Sequence, residues 1–216
     1  MLAVVLQVRH GRLQVLLWQR ARDPFAGAWS LPGGTLEPDE TLEGSIRRHL
    51  VAKVDVRELA HLEQLGSWSE PHRSPLGREL ATAFLGLVPA DADPHLPEDT
   101  AWHAVEDLPD LAFDHGEIAL AGRERLRGKL SYTNAGFALA PQEFTLSELR
   151  DLYAAALGHE LSATNLKRVL LRRGVLQPTG TRRESGRAGG RPAEVYRFGA
   201  RRLEITDPFA TLRPPG

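Results

Sequence analysis

Residues 144–198 spell out two short helices and a basic hairpin in a fixed order, which restricts the fold more than any other stretch of the chain. The run opens with a capping box, Thr145 placed as N-cap and Glu148 at the third helical position, so that each side chain satisfies a backbone N–H the helix leaves free. Phe144 and Leu149 stand where a hydrophobic staple would close over it. Leu146, Leu149, Leu152, Tyr153, Ala156 and Leu157 then recur at helical spacing, and Gly158 is placed to end the helix. Ser162 is placed to cap a second helix that ends near Gly174. Leu166, Val169 and Leu170 form its inner face, while Thr164, Asn165, Lys167, Arg168 and Arg172 point elsewhere. A strand near 175–177, a Gly/Arg-rich tip over 180–191 and a strand over 193–198, with Tyr196 and Phe198 on one side, complete the unit. This is the layout of a winged helix-turn-helix, whose second helix enters the major groove while the hairpin tip touches the backbone or minor groove.

Charge is divided along the chain in the same sense. Residues 1–160 carry 15 Lys and Arg against 24 Asp and Glu, net −9, and residues 161–216 carry 12 against 4, net +8. An acidic body with a basic end points to a polyanion held by the C-terminal part, the bland alternative being a solvated Arg-rich tail. The absence of cysteine excludes disulfides, thiolate zinc sites and cysteine nucleophiles. No apolar run approaches the ~18 residues that span a bilayer. The first residues alternate like a strand, with no basic lead and long apolar stretch. The expectation is a cytoplasmic chain with no membrane partner.

The N-terminal half reads as α/β. Residues 2–9 and 13–20 alternate as two strands joined by His10-Gly11-Arg12, a hairpin signal. A Pro/Gly-rich stretch runs from Pro24 to Gly34, a helix covers about 40–53, and residues 56–68 and 78–88 read as further strands. Residues 90–100 read as loop and 115–129 as an amphipathic helix. The expected organisation is an N-terminal domain over 1–130, a linker over 131–144 and the winged helix-turn-helix over 145–216.

Residues 33–56, GGTLEPDETLEGSIRRHLVAKVDV, resemble the Nudix box, in which a Gly is followed by a Glu, then Arg-Glu, a Glu pair and a closing Gly. Gly34, Glu40 and Arg48 occupy matching positions, and Glu40 and Arg48 are expected to form a structural pair as in the family. The resemblance puts metal-binding glutamates at 49, 52 and 53, positions that share one helix face and would suit Mg²⁺, a hard cation that takes oxygen ligands. This chain has His49, Ala52 and Lys53 there, and Asp55 at the closing Gly. His49 is either a residual ligand or structural. The implied state is a nucleotide-shaped pocket with no metal and no catalytic residue.

VLLWQR at 15–20, PFAGAWSLPGG at 24–34, LEQLGSW at 62–68, AFDH at 112–115, FTLSEL at 144–149 and GRPAEVYRF at 190–198 occur in an order that resembles the NrtR-type Nudix-related transcriptional regulators. The resemblance implies an α/β/α Nudix sandwich on a mixed sheet with a C-terminal winged helix-turn-helix. It further implies a homodimer, a palindromic double-stranded DNA operator at NAD-metabolism genes, and ADP-ribose or a related nucleotide as effector, with no required cofactor. One loop departs: the family's R-D-P-R-G-R is Arg73-Ser74-Pro75-Leu76-Gly77-Arg78 here, losing an Asp and an Arg beside the implied ligand.

The candidate effector residues are Arg20, Trp29, Gly33, Gly34, Arg73, Arg78, Phe113, Asp114 and His115. Arg20, Arg73 and Arg78 are able to bind a diphosphate through paired hydrogen bonds or to form internal salt bridges. Trp29 stacks on an adenine or fills core, and Gly33 and Gly34 allow a tight turn. Phe113, Asp114 and His115 match a motif at the pocket rim. His115 has the chemistry of a base, but recognition, or helix capping by Asp114, fits a site without activated water. In the C-terminal unit Thr164, Asn165 and Arg168 are placed to read bases, Asn favouring adenine and Arg guanine. Lys167 and Arg172 are placed on phosphates, and Arg182, Arg183, Arg187 and Arg191 line the wing, where a narrow minor groove attracts Arg.

The resulting reading is a DNA-binding repressor that senses a nucleotide through a catalytically inactive Nudix domain. An active Nudix hydrolase of ADP-ribose or another nucleoside diphosphate derivative is the alternative, and would need substitute ligands from Glu37, Asp39, Glu43 or Asp55. A protein-interaction winged helix is a third reading, opposed by the wing arginines.

Overall fold

The computed structural model describes residues 1–184 and 192–207. β1 (Leu2–Arg9) and β2 (Arg12–Gln19) form the expected hairpin, its turn made by His10 and Gly11 at φ 51° and 72°. β3 (Trp29–Ser30), β4 (His61–Trp68), β5 (Ala81–Leu87) and β6 (Thr100–Ala104) complete one sheet of order β3-β2-β1-β5-β4, with β6 also paired to β2. β1 and β5 run parallel and the other pairs antiparallel, so the sheet is mixed.

Strand alternation sorts this sheet's side chains onto two helices. Ala3, Val5 and Leu16 point to one face and meet Ile46, Leu50 and Val54 of α1 (Leu42–Val54), which recur every fourth residue. Val4, Leu6, Leu13 and Leu17 point to the other face, toward Ile118, Ala119 and Leu126 of α2 (His115–Tyr132). The result is the α/β/α sandwich. Glu63 of β4 binds Arg125 at 3.1 Å and Lys129 at 2.7 Å, fixing α2 along the sheet.

The second unit follows its sequence cues closely. Thr145 Oγ1 accepts from the Glu148 N–H at 3.3 Å and Glu148 Oε2 accepts from the Thr145 N–H at 2.7 Å, so both halves of the capping box form. They start α3 (Leu146–Leu157), which ends at Gly158 with φ 78°. Ser162 Oγ accepts from the Asn165 N–H and starts α4 (Ala163–Arg172). β7 (Phe144–Thr145), β8 (Leu176–Arg183) and β9 (Ala193–Phe198) form a three-stranded antiparallel sheet of order β7-β9-β8. β8 runs well past the short strand expected near 175–177.

Three differences from the sequence reading have physical causes. Residues 100–104, with no strand assigned to them, are β6. β3 is two residues inside the Pro/Gly-rich stretch, held by pairing with Trp18 and Gln19. Residues 131–144, expected as a linker, instead hold the end of α2, a 3₁₀ turn over Ala135–Ala138 and the start of β7, and the small apolar run Ala135–Ala140 is buried in the same core as β1, α2 and α3. Gly136 lacks a side chain because the Tyr153 ring of α3 occupies the space a Cβ would need. The two units share one hydrophobic core.

Candidate nucleotide cleft and nucleic-acid interface

A cleft of about 550 Å³ opens between the end of β2, the Gly33-Gly34 turn, the end of α1 and the loop before β5. Gly33 and Gly34 are required by close approach: a Cβ on the first would strike the Met1 carbonyl and one on the second the His49 ring. His49 is itself buried, and its Nε2–H donates to the Thr35 carbonyl at 2.9 Å. It therefore positions the turn, and burial holds its pKa below the ordinary value.

His115, the first residue of α2, is 4% exposed and lines the cleft. Its Nδ1 accepts from the Leu31 N–H at 3.1 Å and lies 2.9 Å from Ser30 Oγ. That bond fixes the tautomer and leaves Nε2–H as a donor. Burial pulls the pKa down to about 4, so the ring is neutral near pH 7. Beside it Phe113 adopts φ 57° and meets Phe25, at φ 68°, edge to face at 4.9 Å. Bulky residues rarely take this conformation, and such outliers gather at functional sites.

Arg73 Nε and Nη2 donate to the two Asp114 oxygens at 2.8 and 2.6 Å, a bidentate, largely buried pair that ties the loop after β4 to the start of α2. Asp114 occupies the α2 N-cap position but makes no side-chain cap bond, its carboxylate being taken by Arg73. Arg48 binds Glu40 twice, at 2.9 and 2.5 Å, as the sequence suggested.

The Nudix resemblance implies a divalent cation at the 49/52/53 face, and the residues there do not fit one. His49 spends its Nε2–H on Thr35, Ala52 has no donor atom, and the Lys53 ammonium stands 4.1 Å from the Trp18 ring centroid. Among the described residues no group of three or more His, Cys, Asp or Glu is arranged to hold a metal ion.

On the C-terminal unit, α4 presents Thr164, Asn165 and Arg168 as exposed side chains along one side. Arg168 Nη2 donates to Asn165 Oδ1 at 2.8 Å, which pre-positions both. Leu170 faces inward and is buried. The C-cap of α4 is Arg173, whose guanidinium reaches back to the end of α2: it donates to the Ser131 and Thr133 carbonyls at 3.3 and 2.7 Å and to Thr206 Oγ1.

Residues 1–121 match the NUDIX domain family and residues 136–198 match the NrtR DNA-binding winged helix domain. Over 211 residues, 94% of this chain and 83% of the relative, the sequence is 33% identical to the ADPR responsive transcriptional repressor NtrR of Acinetobacter baylyi. The chain belongs to the NrtR family. Its fold matches Shewanella oneidensis NrtR crystallised with a 27mer DNA, with a TM-score of 0.77, 31% identity and 91% of each chain covered. It also matches the NUDIX domain of that NrtR crystallised with ADP ribose, with a TM-score of 0.52, 33% identity, and 58% of this chain and 85% of that one covered.

In this NrtR-family chain, Arg20, Gly33, Gly34, Arg73, Phe113 and His115 of the candidate effector set converge on the cleft. Three do not. Trp29 packs against the core and meets His103 edge to face at 4.4 Å, Arg78 is exposed and donates to the Ser69 carbonyl, and Asp114 serves Arg73. Trp18 and Lys53 line the cleft and were not among the candidates. Trp18 lies two residues before Arg20 on β2, so period-two alternation was a signal for it. Lys53 was recognised only as a lost ligand.

The interface candidates divide in a similar way. Lys167 binds Glu194 Oε2 at 3.4 Å and sits over the Tyr196 ring, which braces α4 against β9 and leaves the ammonium less free for a phosphate. Arg183 donates to both Glu148 oxygens at 2.7 and 2.9 Å, so it buttresses the α3 capping box and does not project from the wing. Arg182, on β8, is exposed. Arg187 and Arg191 lie outside the described residues.

Proposed function

We propose that the chain is a DNA-binding transcriptional repressor whose Nudix domain senses ADP-ribose or a related nucleotide without hydrolysing it. The observation that carries the reading is a cleft lined by Arg20, Lys53 and Arg73, with no metal-holding carboxylate set among the described residues, joined through one core to a winged helix. The ADP-ribose-bound and DNA-bound relatives support it. A homodimer would place two α4 helices in major-groove half-sites about one helical turn or more apart, on a palindromic operator at NAD-metabolism genes. Thr164, Asn165 and Arg168 would face bases, and Arg172 and Arg182 phosphates. The effector-binding unit would be residues 1–130, and the DNA-binding unit 145–216.

α2 is the element that joins the two functions. Its first residue, His115, lines the cleft, and its N-cap Asp114 holds Arg73. Its last turn carries the carbonyls that hold Arg173 of α4. At 18 residues it spans ~27 Å. An effector that bonds differently to Arg73 or His115 in two arrangements would shift α4, because a ligand moves an equilibrium only through such a difference.

The test is binding of a labelled duplex from upstream of NAD-synthesis genes, across salt and ADP-ribose concentrations. A steep loss of affinity with salt, from counterion release, together with effector-dependent release supports the reading. Brisk Mg²⁺-dependent release of AMP from ADP-ribose would instead favour the hydrolase.

A further inference from the structure

We propose that Lys53 and Arg20 form a cationic clamp for the effector's diphosphate, so that nucleotide binding in this cleft proceeds without a divalent cation. The inference rests on the reading of the cleft as the nucleotide-sensing site and says which chain atoms meet the phosphates. Lys53 lies in the last turn of α1 and Arg20 just beyond the end of β2, and both line the cleft.

Neither cation has a carboxylate within 4.0 Å among the described residues, unlike Arg73, whose charge is paired with Asp114. Arg20 donates through Nε to the Pro24 carbonyl at 2.8 Å and lays its guanidinium over the Phe113 ring at 4.8 Å. The Lys53 ammonium lies over the Trp18 ring at 4.1 Å, and the Trp18 indole N–H is fixed on the Leu31 carbonyl. Each cation is thus held by an aromatic face, which orients it without neutralising it.

A half-buried cation without a counter-ion is unfavourable unless an anion completes it. The strain shows in the pKa of Lys53, which burial and then the charge of Arg20 lower from the ordinary lysine value. One carboxylate, Glu79, lines the cleft. A diphosphate bridging Lys53 and Arg20 would leave the nucleoside against the apolar side of the cleft and within reach of the His115 Nε2–H donor. The lysine is thereby the replacement for the metal that the degenerate helix face no longer suits, and it recognises the phosphates without activating water.

Calorimetric titration of the full-length protein with ADP-ribose, in EDTA and in Mg²⁺, is the test. Lys53→Met keeps the aliphatic stem over Trp18 and removes the charge. Lys53→Arg restores it, and adenosine serves as a ligand without phosphate. We expect wild-type affinity in EDTA to equal that in Mg²⁺, a ~10–100-fold loss in Lys53→Met, substantial recovery in Lys53→Arg, and no effect of Lys53→Met on adenosine. Binding that requires Mg²⁺, or Lys53→Met binding ADP-ribose as tightly as wild type with an unchanged melting temperature, overturns the clamp and leaves the sensing function standing. If wild-type protein binds no ADP-ribose in either buffer, the sensing function itself falls and the clamp with it.

Discussion

Arg173 Nη2 donates to the Thr133 carbonyl oxygen at 2.7 Å, joining the C-cap of α4 to the C-cap of α2. Thr133 closes the helix that begins beside the cleft, and Arg173 closes the helix proposed to enter DNA. Replacing Arg173 with Ala removes several hydrogen bonds from a charged, half-buried group, each worth roughly 1.5–3 kcal/mol at most. We expect lower stability, ADP-ribose affinity nearly unchanged, and a marked loss of the effector's influence on operator binding. Operator titrations with and without ADP-ribose measure that influence. Full retention of it in a folded variant would show that the α2–α4 joint does not carry the signal.

The buried His115 gives the protein an acid-sensitive element. Its folded pKa is about 4 against an ordinary 6.5. Between those values the unfolded chain binds the extra proton, so stability is full above pH 6.5 and falls as pH drops toward 4. The loss from this group is about 3 kcal/mol at most. His115→Asn keeps an acceptor for the Leu31 N–H but does not titrate. Denaturant midpoints across pH 4–7 should fall less steeply for the variant than for wild type, and equal slopes would contradict the assignment.

Asp55 closes α1 in the left-handed conformation, φ 50°, where the Nudix box has Gly. Its side chain accepts from Arg57 at the surface, a contact of little net value. Asp55→Gly should therefore stabilise the protein by roughly 0.5–1 kcal/mol, since glycine takes this conformation without a Cβ penalty. A lower melting temperature would mean that the Arg57 contact matters more than the backbone strain.

Arg168 and Arg172 lie one turn apart on α4 and are expected to differ in kind. Arg168 Nη2 donates to Asn165 Oδ1 at 2.8 Å, and an arginine held in place would be able to bond guanine O6 and N7. Arg168→Ala should cost ~1–3 kcal/mol of specific binding and relax base preference at one position, while Arg172→Ala weakens all duplexes alike. Competition with point-substituted operators separates the two, and uniform losses from both would remove Arg168 from the readout.

The elements legible in the sequence were those fixed by neighbours in the chain. The Thr145–Glu148 capping box, the Ser162 cap and the His10-Gly11 turn each need only a few adjacent residues, and all three formed. What distant partners decide was not legible. The run Ala135–Ala140 has no period that marks an element, but it is buried in the common core, with Tyr153 against Gly136. β6 exists because β2 offers a free edge. Gly33, Gly34, Phe113 and His115, each marked by a motif, do line one cleft. Trp29 packs against the core beside His103 of β6, and Lys53 lies over Trp18, which stands 35 residues earlier, contacts that no local pattern announces. Arg183 was counted with the wing although Glu148, 35 residues earlier, claims it.

Coupling between the cleft and the winged helix is the central claim, and it is reciprocal by thermodynamic necessity. Its most direct test is the dissociation constant of ADP-ribose measured twice, on the free protein and on the protein saturated with operator duplex. We expect operator to weaken ADP-ribose binding by the same factor by which ADP-ribose weakens operator binding, within ~5–150-fold. Identical ADP-ribose affinities in the two states would contradict a sensing repressor, however tightly each ligand binds alone.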